Sequence, residues 1–457
     1  MRALNRISLC RGLRVRRPDS RMSTCVTQIP PGPSEKYDPS QDLWSWMRDH
    51  FCRFGDIYKA SVFGTDVYVV SDPRSADYVL RENWQNYKKG QAIKRVGWLL
   101  GNGLMVSEGE FWKSQRRMIQ PSFHQEAISA LITIITTANV ALLKKWERAA
   151  REHASVNVTR DVSLMILDVV LVSIFGDDYQ DVAPHFSILS GESARDLQFA
   201  QAFRSLGKLV GQVIAKRRNE NRRSTDILGM LMEARDRDTG QAMPDRQLVS
   251  EILTLVVAGH ETTASTLNWT WYLLSQNSEV EQRLSEELNR LPGGDCPEMG
   301  DLPKFTYTRQ VLEEALRLYP PGWLMTRKAL KDDQLGDYFV PAGTEIYISP
   351  YLIQRHPALW DDPDRFNPDR FDPEQSRDRH VLTMLPFSAG PRKCIGDIFA
   401  RVEMQIHLMM IAKQLRLRYT ETKPPEFEAG VNLRSKDDFI MTPEIKAQHA
   451  LSGHHAA

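Results

Sequence analysis

The sequence predicts a mainly α fold with small β-sheets, an α+β arrangement threaded by one very long central helix. Three observations predict it. Residues 75–217 carry apolar side chains at helical spacing with few interruptions. Residues 245–277 hold no proline and keep a nearly unbroken apolar face, which as one helix is roughly 50 Å long at 1.5 Å per residue and must cross the whole molecule. Strand-like composition is confined to short stretches at residues 57–70 and 323–348.

Taken in order, the first 21 residues hold Arg2, Arg6, Arg11, Arg14, Arg16, Arg17 and Arg21 against the single acid Asp19. This is the composition of an organelle transit peptide, but the plainer reading is a basic leader upstream of a true start at Met22. Ile29-Pro30-Pro31-Gly32-Pro33 then forms a stiff extended connector, because proline fixes its own backbone and biases its predecessor away from helix. A helix follows over residues 44–54, then a strand pair around Gly64 that ends at Asp72-Pro73. The helical half breaks at Gly101–Gly103, Pro121 and Gly176-Asp177-Asp178. After the long helix, another over residues 304–319 stops at Pro320-Pro321, residues 356–373 read as proline-studded coil, and a last long helix runs over residues 396–414. With no repeat and no low-complexity linker, the expected organisation is a disordered leader and connector (1–33), one intertwined domain (34–446) and a flexible tail (447–457).

A 457-residue chain that is 42% apolar and 26% charged is globular, and its formal net charge of +1 offers no field to recruit a nucleic acid. Small molecules are the expected partners, and a monomer the expected state. The five cysteines, Cys10, Cys25, Cys52, Cys296 and Cys394, write neither a disulfide framework nor a CxxC metal site. No transmembrane anchor is expected, the longest apolar run considered being residues 253–259. A bacterial cytoplasm is the simplest home, with the mitochondrial matrix as the alternative if the leader is a targeting segment.

The strongest chemical signal is Phe387-Ser-Ala-Gly390-Pro-Arg392-Lys-Cys394-Ile-Gly396, a loop that feeds a helix. A cysteine there meets unpaired backbone N–H groups and the positive end of a macrodipole, which favour a thiolate. Gly390 and Gly396 are read as allowing a tight turn and close approach to a flat ligand. A lone cysteine is ordinarily a buried structural thiol. Phe, Gly, Arg, Cys and Gly at those offsets, however, arise by chance on the order of once in ten thousand or less.

On these residues the chain resembles the cytochrome P-450 superfamily, from about residue 54 to residue 414. The resemblance implies that fold, with the central helix crossing over heme b (iron protoporphyrin IX) and Cys394 as the proximal iron ligand. A thiolate there pushes electron density onto iron and favours O–O cleavage. Phe387 would pack near the sulfur, and Arg392 would meet a propionate through its fork of donors.

A second signal is Ala258-Gly259-His260-Glu261-Thr262-Thr263 within the long helix. Glycine and paired threonines cost helix stability, and Thr262 can bond back to the Ala258 carbonyl, leaving a polar notch in an apolar wall. The resemblance places the notch over the distal heme face, with Ala258 and Gly259 lining it, Thr262 hydrogen-bonding dioxygen and Glu261 relaying protons. It further implies that Trp112 and Arg116, one turn apart, and Arg327 contact propionates. Glu314, Arg317 and Arg370 would form a buried structural network.

The resemblance therefore implies a monooxygenase that inserts one oxygen atom of O2 into an apolar molecule such as a fatty acid or terpene, a fatty acid being the nearer guess. Its distal pocket would be lined from Ala258, residues 91–104 and Leu324-Met325. With no G-x-G-x-x-G unit in the sequence, electrons from NAD(P)H would arrive through a separate ferredoxin or flavodoxin/reductase. Lys113, Arg116, Arg117, Arg392, Lys393 and Arg401 would form the basic dock. A peroxide-dependent peroxygenase is the rival within enzymes, and a heme-binding sensor the rival outside them; the Glu261-Thr262 pair argues against both. One departure is the span between Gly176 and Arg217, about 40 residues, shorter than the family ordinarily uses to roof its substrate pocket.

Overall fold

The computed structural model describes residues 28–190, 197–291 and 296–446, so the arginine-rich leader and the C-terminal tail lie outside the described residues. The connector does not stand free: Lys59 N donates to the Pro31 carbonyl at 2.9 Å and Phe339 N to that of Gln28 at 2.9 Å, so it is tied to two strands of the domain.

Helix α1 (Leu43–Phe54) leads into β1 (Ile57–Val62) and β2 (Thr65–Val70), an antiparallel pair turning at Phe63-Gly64, both with positive φ. Next come β3 (Tyr87–Lys89), α2 (Gln91–Leu100) and α3 (Gly109–Ile119), with residues 101–108 looping between the two helices. The helical half continues with α4 (Ile132–Arg151), the short β4 (Val156–Asn157), α5 (Val158–Phe175), whose start is capped by Asn157, and α6 (Leu197–Asn219). Helix α7 (Asp245–Gln276) has 32 residues, about 48 Å. Then follow α8 (Thr306–Leu318), β5 (Met325–Ala329), β6 (Asp333–Leu335), β7 (Tyr338–Val340), β8 (Glu345–Ile348) and α9 (Asp397–Gln414). The chain finishes with β9 (Leu415–Tyr419), β10 (Phe427–Ala429), β11 (Leu433–Ser435) and β12 (Ile440–Ile445).

The mainly α class with small sheets holds. One sheet has strand order β1-β2-β8-β5-β3, with β2 and β8 parallel, so the two strand-rich stretches, 57–70 and 325–348, join in one sheet, a pairing that the sequence reading did not make. Two further features were not anticipated. The four C-terminal strands form a β4-β12-β9 sheet and a β10-β11 hairpin; Pro443 is accommodated because β4 pairs only with Ile440 and Met441, leaving the rest of that side of β12 an edge. In addition, Gln125–Arg151 is long and apolar enough to cross a membrane by length and composition, a stretch the sequence reading passed over in favour of residues 253–259. In the fold this stretch includes α4, which packs on α5, α9 and β12.

Helix α7 is the axis of the core. It packs against α5, α6, α8 and β9. From Glu251 to Leu274 every residue is buried except Val257, Ala258, Gly259, Glu261 and Thr262. That break in burial, midway along a core helix, locates the site.

Candidate functional site

The cysteine loop is a tight return of chain beneath α9. Cys394 N donates to the Phe387 carbonyl at 2.9 Å and Lys393 N to that of Gly390 at 3.0 Å, while Ser388 and Gly390 take φ of 60° and 69°. Glycine is required at 390, since a Cβ would run into the Leu80 carbonyl. Gly396 departs from expectation: at φ −91° it makes no special turn, and a Cβ would meet no atom within 4 Å, so what it provides is an open face beside the cysteine. Phe387 is half-buried under the loop with the Arg401 guanidinium 4.7 Å from its ring centroid.

The Cys394 thiol is accessible to solvent yet surrounded by protein. Burial pushes its pKa up and outweighs the Gly396 amide, Arg116 and Lys393, which act downward, so the protein alone does not create the thiolate expected from the helix terminus. A thiol so placed loses its proton to solvent when a cation binds the sulfur and stabilises the thiolate.

On α7, Thr262 Oγ1 donates to the Ala258 carbonyl at 2.8 Å, as the spacing predicts. Thr254, Thr266 and Thr270 make the same bond to Ser250, Thr262 and Thr266. Gly259 serves a different purpose from the one expected of it: a Cβ would meet Val170 of α5 at 3.3 Å, so its missing side chain is used for helix–helix contact. His260 also faces α5, its Nε2 2.8 Å from Ser163 Oγ, and burial lowers its pKa to about 4. Glu261 is half-exposed and turned to the β10-β11 hairpin, where Asn432 Nδ2 donates to it at 2.9 Å and Arg434 lies 3.6 Å away.

Trp112, Arg327 and Arg392 converge beside the loop 101–108, together with Lys89, which the sequence did not single out. Arg392 stacks 4.2 Å over the Trp112 ring, pairs with Glu108 and donates to the Ser107 carbonyl at 3.2 Å, leaving its buried Nε without an acceptor. Lys89 Nζ donates to the carbonyls of Leu104 (2.9 Å) and Ser107 (3.1 Å), and burial lowers it to about 7. Arg327 is 9% exposed, bonds only the Thr326 carbonyl and has no carboxylate partner among the described residues; burial lowers its pKa to about 10. Buried cations left short of counter-charge fit a ligand carrying carboxylates. Arg116 is placed elsewhere: it donates to the Lys393 carbonyl at 2.8 Å and belongs to the cysteine loop instead of this cluster.

The buried network is present. Arg317 forks onto Glu314 at 2.6 and 2.8 Å and donates to the carbonyls of Gln354, Pro363 and Arg365, while Arg370 Nε lies 3.3 Å from Glu314. It ties α8 to the coil that precedes the cysteine loop.

These residues fit a heme: a thiol open to a flat group at the start of α9, an interrupted wall on α7, and carboxylate-seeking cations at one side. Lys89, Glu108 and Asn432 were missed because nothing in a three-residue strand, a loop or a hairpin tip marks them locally; each acquires its role from a partner far away in sequence. The expected dock is largely self-neutralised. Lys113 pairs with Glu110, Arg117 with Asp238, Arg392 with Glu108, Lys393 with Asp397 and Arg401 with Glu313.

Comparison with known proteins agrees with this geometry. The cytochrome P450 family model matches residues 32–188 and 179–442. Cyclooctat-9-en-7-ol 5-monooxygenase of Streptomyces melanosporofaciens is 33% identical over 80% of this chain and 83% of its own. Pentalenene oxygenase of Streptomyces avermitilis is 31% identical over 82% and 88%. The crystal structure of the cytochrome P450DA heme domain superposes with a TM-score of 0.81 at 25% identity, covering 92% of this chain and 98% of that one. A cysteine loop, a notched central helix and a matching fold thus coincide in one chain, which belongs to the cytochrome P450 family and is a heme-thiolate monooxygenase.

Proposed function

We propose that the chain hydroxylates a bulky apolar hydrocarbon of terpene type, drawing electrons from NAD(P)H through a separate ferredoxin or flavodoxin/reductase. In the overall reaction a C–H bond becomes C–OH, the second oxygen atom of O2 leaves as water, and two electrons and two protons are consumed. The bound heme supplies activation of dioxygen. The observation that carries the substrate class is that two relatives above 30% identity are named as oxygenases of cyclooctat-9-en-7-ol and of pentalenene. This displaces the fatty acid as the nearer guess. The half-buried Val257 and Ala258, with Leu324 and Met325, offer an apolar wall that holds such a molecule by shape.

In this reading Cys394 binds the iron, and Arg327, Arg392, Lys89 and Trp112 hold and cover the propionates. Thr262, its hydroxyl engaged by Ala258, borders the oxygen site, and Glu261 takes protons from the solvent side. The bacterial relatives support a bacterial cytosol; the mitochondrial alternative depends on the leader.

The test is spectroscopic. The reduced protein under carbon monoxide should show the red-shifted band of a thiolate-ligated heme, and Cys394→Ser should abolish it. Cyclic terpene hydrocarbons and C12–C16 fatty acids are then titrated for a change of heme spin state. A response to fatty acids alone would overturn the terpene assignment.

A further inference from the structure

Leu104, in the loop 101–108, has both its backbone groups held by ionisable side chains from different elements. Its N–H donates to Glu251 Oε2 of α7 at 2.8 Å, and its carbonyl accepts from Lys89 Nζ of β3 at 2.9 Å. Glu251 is fully buried and is fixed in turn by Gln247 Nε2 at 2.6 Å, whose amide also donates to the Asn102 carbonyl at 3.0 Å. The loop lies flat on α7, for a Cβ at Gly103 would run into Thr254. Thr254 is one turn before Ala258, so the loop lies against the stretch of α7 that leads into the notch, while at the other end of the loop the Ser107 carbonyl accepts from Lys89 and Arg392.

A carboxylate withdrawn completely from water is costly, and a surface loop needs no such anchor merely to close a chain. Burial raises the Glu251 carboxyl to about 7, opposed by the Leu104 amide, Gln247 and Lys89. We propose that Glu251 and Lys89 are an acid–base clamp on the Leu104 backbone, which sets the distance of the loop 101–107 from α7 and so determines which substrates the distal pocket admits. Glu251 is thus a positioning residue for specificity, acting through Leu104. The proposal rests on the reading of residues 258–262 as the distal heme wall.

The experiment compares two azoles that bind heme iron from the distal side, imidazole and the bulkier 4-phenylimidazole, by spectral titration of the holoprotein. In Glu251→Ala the ratio of their dissociation constants should shift by roughly tenfold, as expected for loss of one buried hydrogen bond to a charged group. Glu251→Gln, which retains an acceptor, should restore the ratio to within about twofold. Lys89→Met should shift it in the same direction as Glu251→Ala. An unchanged ratio in Glu251→Ala with its carbon monoxide band intact overturns the clamp while leaving the heme assignment standing; loss of distal azole binding in the unmutated protein would overturn the heme reading itself. Should the variants fail to fold, hydrogen exchange in the unmutated holoprotein decides: the Leu104 amide should be protected as long as the amides of α7, and rapid exchange there overturns the proposal.

Discussion

Thr262 and Ala258 are joined by a 2.8 Å hydrogen bond from hydroxyl to carbonyl, and they are also two of the five residues that interrupt the burial of α7 between Glu251 and Leu274. The bond and the opening therefore belong to the same turn. Thr262→Ala removes the hydroxyl without emptying the core, since the side chain is only half-buried. The variant should retain its heme, lose about a hundredfold in product formation, and release the electrons it consumes as peroxide. Peroxide and product measured per NAD(P)H check this, and fully coupled turnover would remove Thr262 from proton delivery.

Arg327 gives a prediction with opposite signs in two states. Without a carboxylate ligand it is a buried cation short of a partner, so Arg327→Met should make the heme-free protein more stable. With heme bound, the lost charge-assisted bond should speed heme loss by about tenfold. Denaturant unfolding of the heme-free form and heme transfer to apomyoglobin measure the two effects.

Glu314→Gln leaves the Arg317 guanidinium, fully buried, beside a neutral amide. Breaking a buried pair from one side costs about 3–5 kcal/mol. The variant should show a lower Tm and a reduced heme content after purification; a Tm within a degree of the parent would mean that the carbonyls of Gln354, Pro363 and Arg365 hold Arg317 alone.

Two histidines are buried in neutral form. Burial lowers His260 to about 4 and His407, bonded to Trp271 and Asn139, to about 3. A folded value below the unfolded one, near 6.5, means that the unfolded chain binds the extra proton first. Stability is therefore intact above pH 6.5 and is lost as pH falls towards 4, on the order of 3 kcal/mol for His260. Urea unfolding between pH 4 and 8 should show this slope, and His260→Asn should roughly halve it, leaving the share of His407.

Much of this was legible in the sequence because it is local. The proline-free run of α7, the Thr262 bond to a carbonyl four residues back and the Glu314–Arg317 pair one turn apart all follow from spacing on one element. Other features depend on distance across the fold. That Gly259 faces Val170, that Arg116 turns to Lys393 and that Asn432 meets Glu261 depend on how separate elements pack. The sequence reading did not pick out the C-terminal strands although Leu415–Tyr419 alternates cleanly; Pro443 in β12 is tolerated only because that side of the strand is an edge, which the sequence does not show.

The pairing of Lys113, Arg117, Arg392, Lys393 and Arg401 with acids of their own chain bears on how an electron donor finds this protein. Ion pairs at a surface project a dipole in place of a net charge, and such fields fade within a Debye length, about 8–10 Å in ordinary buffer. Encounter with an acidic carrier should then depend only shallowly on ionic strength. Turnover should fall far less between 50 and 300 mM salt than it would for a partner drawn in by unpaired lysines, leaving shape at the contact to select the carrier.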